Sequence, residues 1–187
     1  MGSIQTLTGI LGLAFVSGIN LYAAVLVVGL GIRYGWLTGL PAVLHPLAHP
    51  AVLIVAGIFY LLEFFADKIP FVSTVWDAVH TLIRPLGGAL LALGAAAELD
   101  PVWQAVAFLA GGAVALSTHS TKMGFRILAH TTPEPVTHSI VSVLEDVSVV
   151  GLLVLAYKYP RLALAILLGL LVAVAVAAPL LFRILRF

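Results

Sequence analysis

The chain has 187 residues, 62% of them hydrophobic and only 9% charged, with a formal net charge of +1. A soluble domain is about 45–50% apolar and about 25% charged, so this composition excludes a water-soluble core and points to an integral membrane protein. The absence of cysteine excludes disulfides, thiolate catalysis and Cys-ligated zinc, and the lack of a basic stripe argues against a nucleic-acid partner.

About 20 largely apolar residues carry a helix across a bilayer. Segment one covers residues 4–32, with a polar interruption at Ser17-Gly18-Ile19-Asn20. The chain start has no basic n-region, so this segment is expected to stay as a span rather than leave as a signal peptide. A loop containing His45 and His49, each followed by proline, is read as bland. Segment two covers 51–66 and carries Glu63 near its end. Segment three starts at Phe71 and meets Pro85; its apolar part, 86–97, has 12 residues. That is too short to cross alone, so it joins the residues before Pro85 or forms a re-entrant or broken helix. Segment four covers 102–128, after a break at Glu98-Leu99-Asp100-Pro101 whose proline suits a helix start. A turn at Thr131-Thr132-Pro133-Glu134-Pro135 leads to segment five, 136–157. Segment six is the apolar run 162–182, 21 residues long.

The fold class expected is an all-α polytopic membrane protein with about six transmembrane or re-entrant helices. It forms one membrane domain, 1–187, divided into repeat one at about 4–97 and repeat two at about 101–187. The halves share an outline. Segments one and four carry a central polar patch, two and five an acid after a leucine (Leu62-Glu63, Leu144-Glu145), and three and six follow an arginine-containing turn. Three crossings per repeat would invert the second copy, the plan of many secondary transporters. Six spans place both termini on one side, with Lys68, Arg84, Lys122, Arg126, Arg183 and Arg186 facing Arg33, Lys158 and Arg161 on the other. That bias predicts both termini in the cytoplasm of a cell-membrane protein.

Polar residues inside the spans are the functional clue. A carboxylate at a helix centre costs roughly 2.5–3.5 kcal/mol even on lenient insertion scales. Glu63 and Asp67 lie four apart on one helix face, where two carboxylates can hold a cation or share a proton unless a neighbouring Lys or Arg neutralises them. Asp77, His80 and Arg84 form a second stripe, facing a cavity or the interface. Ser117-Thr118-His119-Ser120-Thr121-Lys122 is a polar run in segment four; unwound, it would resemble the broken helices that coordinate transporter substrates. His138, Ser142 and Glu145 form a further stripe, with Asp146 beside it. Histidine with carboxylates suits divalent ions, but no metal-ligand spacing is present, so the metal is left unknown and no cofactor is expected. The glycine pairs 87–88 and 111–112 read as close helix packing.

Several runs carry a resemblance: Phe15-Val16-Ser17-Gly18-Ile19-Asn20-Leu21-Tyr22, Leu62-Glu63-Phe64-Phe65-Ala66-Asp67-Lys68-Ile69-Pro70, Trp76-Asp77-Ala78-Val79-His80-Thr81, Arg84-Pro85, the run 115–122, Pro133-Glu134-Pro135 and Glu145-Asp146. Together they resemble a bacterial family of small multi-spanning membrane proteins catalogued as a domain of unknown function. Glu63 with Asp67-Lys68 is also similar to the E-x-G-D-[KR]-[TS] signature of calcium/manganese cation exchangers, which are built from two inverted three-helix repeats. The spacing here is one residue longer, Ala66 stands for the glycine, and Glu145-Asp146 has no following lysine. That similarity implies cation exchange.

The expectation is therefore a small transporter or channel for an ion or small polar solute, without enzymatic activity and with proton coupling. Its binding site would be built from Asn20, Glu63, Asp67, Asp77, His80, Arg84, His119, Lys122, Glu145 and Asp146. Glu63 and Glu145 would be its symmetry-related acids. A second reading is a lipid-headgroup flippase, scramblase or membrane enzyme, using Arg84, Lys122, Arg126 and His119. A third is a structural accessory subunit. The partners expected are the bilayer, the solute and a second copy in a homodimer.

Overall fold

The computed structural model describes residues 2–129 and 135–185, with side chains placed except at 70, 128–129, 135–139 and 185. The elements are α1 (Ser3–Arg33), a 3-10 helix (Ala42–Ala48), α2 (Pro50–Ala66), α3 (Pro70–Ala95), α4 (Pro101–Ala129), α5 (Pro135–Lys158) and α6 (Pro160–Leu185). Five of the six long helices begin on a proline, whose fixed φ and missing N–H suit the first helical position. The protein is an all-α multi-span membrane protein, and large side chains such as Leu109, Leu168, Val172 and Leu180 stand exposed around it. The turn expected at 131–135 has residues 131–134 outside the described residues, as are His138's side chain and Arg186.

Helix α1 is not one rod. Asn20 has φ −149° and ψ 101°, extended backbone inside a helical run. A straight helix would hold Thr8 and Val28 about 30 Å apart. Instead both line one cavity of about 500 Å³, together with Leu13, Thr38 and Tyr157. The Thr8 hydroxyl donates to the Pro160 carbonyl at 3.1 Å, and the Thr38 N–H, just after α1, donates to the Tyr157 hydroxyl at 3.1 Å. Both ends of α1 therefore meet the α5–α6 turn. The chain enters as residues 3–19, reverses at Asn20, and returns as residues 21–33. Segment one, expected as one continuous span, is therefore a helical hairpin folded back at Asn20.

Helix α3 is the reverse case. It continues through Pro85 for 26 residues, about 39 Å at 1.5 Å per residue, so it crosses whole. Helix α4 is likewise helical throughout 117–122. The polar break expected there occurs at Asn20 instead. A further bend, of 66°, lies between the 3-10 helix and α2.

Small residues bring the central helices together. A Cβ on Gly18 would sit 2.5 Å from the Ala115 carbonyl oxygen, and one on Gly88 would sit 2.5 Å from the Ala115 Cβ. The hairpin tip, α3 and α4 thus meet nearly backbone to backbone. From there α2 runs away from the hairpin's open end, α3 returns, α4 runs away, α5 returns and α6 runs away. Near the far end, Arg126 of α4 bonds Asp67 at the end of α2, and Gly124 lies against Leu181 of α6. The N-terminal residues and the end of α6 therefore occupy opposite ends of the bundle. The expectation of both termini on one side rested on α1 crossing.

Candidate functional site: a buried ion-pair cluster at the hairpin tip

The reversal at Asn20 opens two helix ends inside the bundle. Its side-chain oxygen accepts from the Ala23 N–H at 2.9 Å, capping the returning arm from the N-cap position. Its amide nitrogen donates to Asp146 Oδ1 at 3.0 Å. On the entering arm, carbonyls that would continue a helical ladder lose their partners. Gly18 O instead accepts from Arg84 Nη1 at 3.3 Å, and Ile19 O from Lys122 Nζ at 2.7 Å. Two cations thus terminate a half-helix whose carbonyl end carries partial negative charge.

These cations continue into carboxylates. Arg84 Nη2 bonds Glu63 Oε1 at 2.7 Å and stands 3.7 Å from Asp77 Oδ1. Lys122 Nζ lies 2.9 Å from Glu145 Oε2, 3.6 Å from Glu63 Oε1 and 3.8 Å from Asp67 Oδ2. Arg126 grips Asp67 with both guanidinium nitrogens and reaches Asp77 Oδ2 at 3.2 Å and Glu145 Oε2 at 2.8 Å. Glu63 and Arg84 are fully buried (0% exposed). A charge removed from water this completely persists only when paired. Lys122 thus lies between Glu63 and Glu145.

The histidines are held by carbonyls. Arg84 Nη1 stands 2.7 Å from His119 Nδ1, and a guanidinium can only donate, so Nδ1 accepts. His119 Nε2 then carries the proton and faces the Asp77 carbonyl at 3.1 Å and the Thr81 hydroxyl at 3.2 Å. His80 has the other tautomer. Its Nδ1 donates to the Trp76 carbonyl at 2.8 Å, and Nε2 meets the Tyr22 hydroxyl at 2.9 Å. Trp76 stacks on the His80 ring, and Tyr22 stacks on Phe59.

All ten residues expected at the site converge on this region, in two linked parts. Glu63, Asp67, Asp77, Arg84, His119, Lys122 and Glu145 form the ion-pair cluster. Asn20 and Asp146 form a neutral-donor branch, completed by the Tyr60 hydroxyl, which donates to Asp146 Oδ2 at 3.0 Å. His80 stands one turn from Arg84, tied to Tyr22 and Trp76 rather than to a charge. Lys68 is not the neutralising partner of Glu63 and Asp67; its Nζ caps the Phe64 carbonyl at 2.9 Å, over the Phe64 ring. His49 Nδ1 accepts from the Ala51 N–H and caps α2. Among the described residues, no group of three His, Asp or Glu side chains is arranged to hold a metal.

Arg126, Tyr22 and Tyr60 complete the site; Arg126 was expected there only under the lipid-headgroup reading, and the two tyrosines not at all. Arg126 had a readable signal. It follows His119 and Lys122 at i+7 and i+4, on the same helix stripe. Tyr60 precedes Glu63 by one turn. Tyr22 had none beyond its place in the run after Asn20.

The cluster's formal charge is unbalanced. Three cations, Arg84, Lys122 and Arg126, face four carboxylates, Glu63, Asp67, Asp77 and Glu145; Asp146 stands beside them, bonded to Asn20 and Tyr60. Glu63 Oε2 and Asp77 Oδ1 are buried with no hydrogen-bond partner among the described residues. Toward the open end of the hairpin, Val16, Ala24 and Val149 are fully buried (each 0%) in one apolar core. Each lies about one helical turn from Asn20 or Asp146 on the cavity side, so an apolar plug separates the cavity from the polar site.

The family model described as Domain of unknown function (DUF4126) matches residues 7–179, and the chain belongs to that family. No curated protein matches the chain, and no solved structure matches it.

Proposed function

We propose that this protein is a small membrane transporter or channel for an ion or small polar solute, coupled to protons and without enzymatic activity. One observation carries the reading: a charge-unbalanced ion-pair cluster at mid-bundle, assembled on the broken tip of a re-entrant hairpin. Discontinuous helices whose ends meet charged groups near the midplane are the usual site-forming elements of secondary transporters. Ionisable residues inside spans mark ion or proton pathways by default. The inverted-repeat relation is kept for α2–α3 against α5–α6, which run in opposite directions and contribute Glu63 and Glu145 to the same lysine. The cell membrane is the expected location, and a homodimer the expected assembly.

The lipid-headgroup reading loses support from the same geometry. Arg84, Lys122 and Arg126 are each matched to carboxylates inside the bundle, so a phosphate would have to displace acids already in place. The test is reconstitution into liposomes with a scan of cations, anions and protons. Wild type is expected to carry a flux that Glu145→Gln reduces by at least tenfold. Equal flux from wild type, Glu145→Gln and empty vesicles, for every solute, would sink the transport reading and favour a structural subunit.

A further inference from the structure

Lys122 has an unusual environment for a membrane lysine. Its ammonium faces four oxygen atoms: the Ile19 carbonyl at 2.7 Å, Glu145 Oε2 at 2.9 Å, Glu63 Oε1 at 3.6 Å and Asp67 Oδ2 at 3.8 Å. These come from the entering arm of α1, from α5, and from both ends of the Glu63–Asp67 turn that closes α2. A backbone carbonyl at the end of a half-helix plus carboxylates is an oxygen ligand set for a hard cation. Here the cation is supplied by the chain itself.

Two independent observations indicate that this place is made for an exchangeable charge. Glu63 is fully buried, and its second oxygen, Oε2, has no hydrogen-bond partner among the described residues, so this carboxylate has acceptor capacity left over. The cluster also carries a formal excess of one carboxylate over its cations. Lys122 differs from its neighbours in how it is held. Arg126 is locked by a two-point grip on Asp67, and Arg84 by Glu63, His119 and Gly18. A lysine is a compact point charge on a flexible stem, able to withdraw without breaking a fork.

We infer that Lys122 is a tethered stand-in for a monovalent cation of ammonium size, and that such a cation and the Lys122 ammonium compete for the oxygens of Ile19, Glu63, Asp67 and Glu145. The inference rests on the transporter reading and narrows its solute to potassium-sized inorganic ions or primary ammonium groups. The Lys122 ammonium occupies the place between these oxygens, so binding requires it to leave. The incoming cation takes over the ammonium's place at the oxygens and adds one positive charge to a cluster with a surplus carboxylate, while the displaced Lys122 ammonium stays tethered nearby.

Two arms test this in purified full-length protein. In the first, the melting temperatures of Lys122→Met and wild type are followed in KCl, RbCl, NH4Cl and methylammonium chloride, against choline chloride at equal ionic strength. The variant is expected to show saturable stabilisation at concentrations at least tenfold lower than wild type. Response to methylammonium but not to potassium assigns an organic amine, and the reverse an inorganic ion. A folded variant indifferent to all four salts overturns the inference. In the second, wild type is labelled with an amine-reactive reagent, and Lys68, Lys122 and Lys158, the chain's three lysines, are read separately by mass spectrometry. Labelling of Lys122 is expected to rise several-fold in the effective salt, with Lys68 and Lys158 unchanged. No selective rise overturns the inference, and this arm decides if Lys122→Met does not fold. Liposome flux without either binding signal would sink the lysine's role and leave transport standing. Binding without flux would do the opposite.

Discussion

Arg126 is the residue on which the ion-pair cluster most depends, because it touches three carboxylates from three helices, Asp67, Asp77 and Glu145. Breaking a buried pair from one side leaves an unpaired charge and typically costs about 3–5 kcal/mol. Arg126→Met is therefore expected to lower stability by that amount in detergent unfolding, and Asp67→Asn added to it should recover part of the loss. An Arg126→Met protein as stable as wild type would remove the cluster's structural role. Asn20→Ala loses a cap worth about 0.5–2 kcal/mol and the amide that faces Asp146. Asn20→Asp would keep the cap but set a carboxylate against Asp146. It is expected to be the more damaging of the two, read as the lower melting temperature near neutral pH. The polar residues themselves were legible in the sequence, because each is expensive inside an apolar segment. Their pairing was not, since Arg84 reaches Glu63 from another helix and the spacing along one chain does not report it.

At the scale of elements, the hairpin tip and the α3–α4 contact share one device, which is close approach at glycine. Gly18→Val would drive a side chain into the Ala115 carbonyl region of α4. It is expected to abolish folding or cost several kcal/mol, since backbone cannot yield as a side-chain tip can. Gly57 is the control, because a Cβ there would meet nothing within 4 Å. Gly57→Ala should be neutral or slightly stabilising through helix propensity. Hydropathy found α2 to α6, and the helix-starting prolines mark their entry points. It read α1 as a crossing because both arms are apolar, and apolarity does not distinguish a helix that crosses from two arms that enter and leave. The only local signal was the patch Ser17-Gly18-Ile19-Asn20, and there the extended residue lies.

For the whole molecule, a re-entrant α1 would leave five crossings and put the N-terminal residues and the end of α6 on opposite faces. The lysines and arginines must then be recounted. With Arg84, Lys122 and Arg126 inside the bundle, Arg33, Lys158 and Arg161 stand against Lys68 and Arg183 among the described residues, three to two, and the bias that favoured a cytoplasmic side disappears. The chain has no cysteine, so single cysteines report sidedness without background. Gln5→Cys and Thr38→Cys are expected to react with an impermeant maleimide from the same side, and Arg183→Cys from the other. Labelling of Gln5→Cys and Thr38→Cys from opposite sides would show that α1 crosses.

The hairpin also sets an order of assembly. In α1, 67% of the apolar window is buried inside the bundle, against 11% in α6. Its arms pack on Ala95 of α3, Ala115 of α4, Ala156 of α5 and Leu167 of α6. Most of that housing is synthesised after α1 has left the ribosome. Of the six long helices the earliest made is thus the last that can be seated, and until α5 and α6 arrive it must wait at the membrane surface or in lipid, with Asn20 unpaired from Asp146.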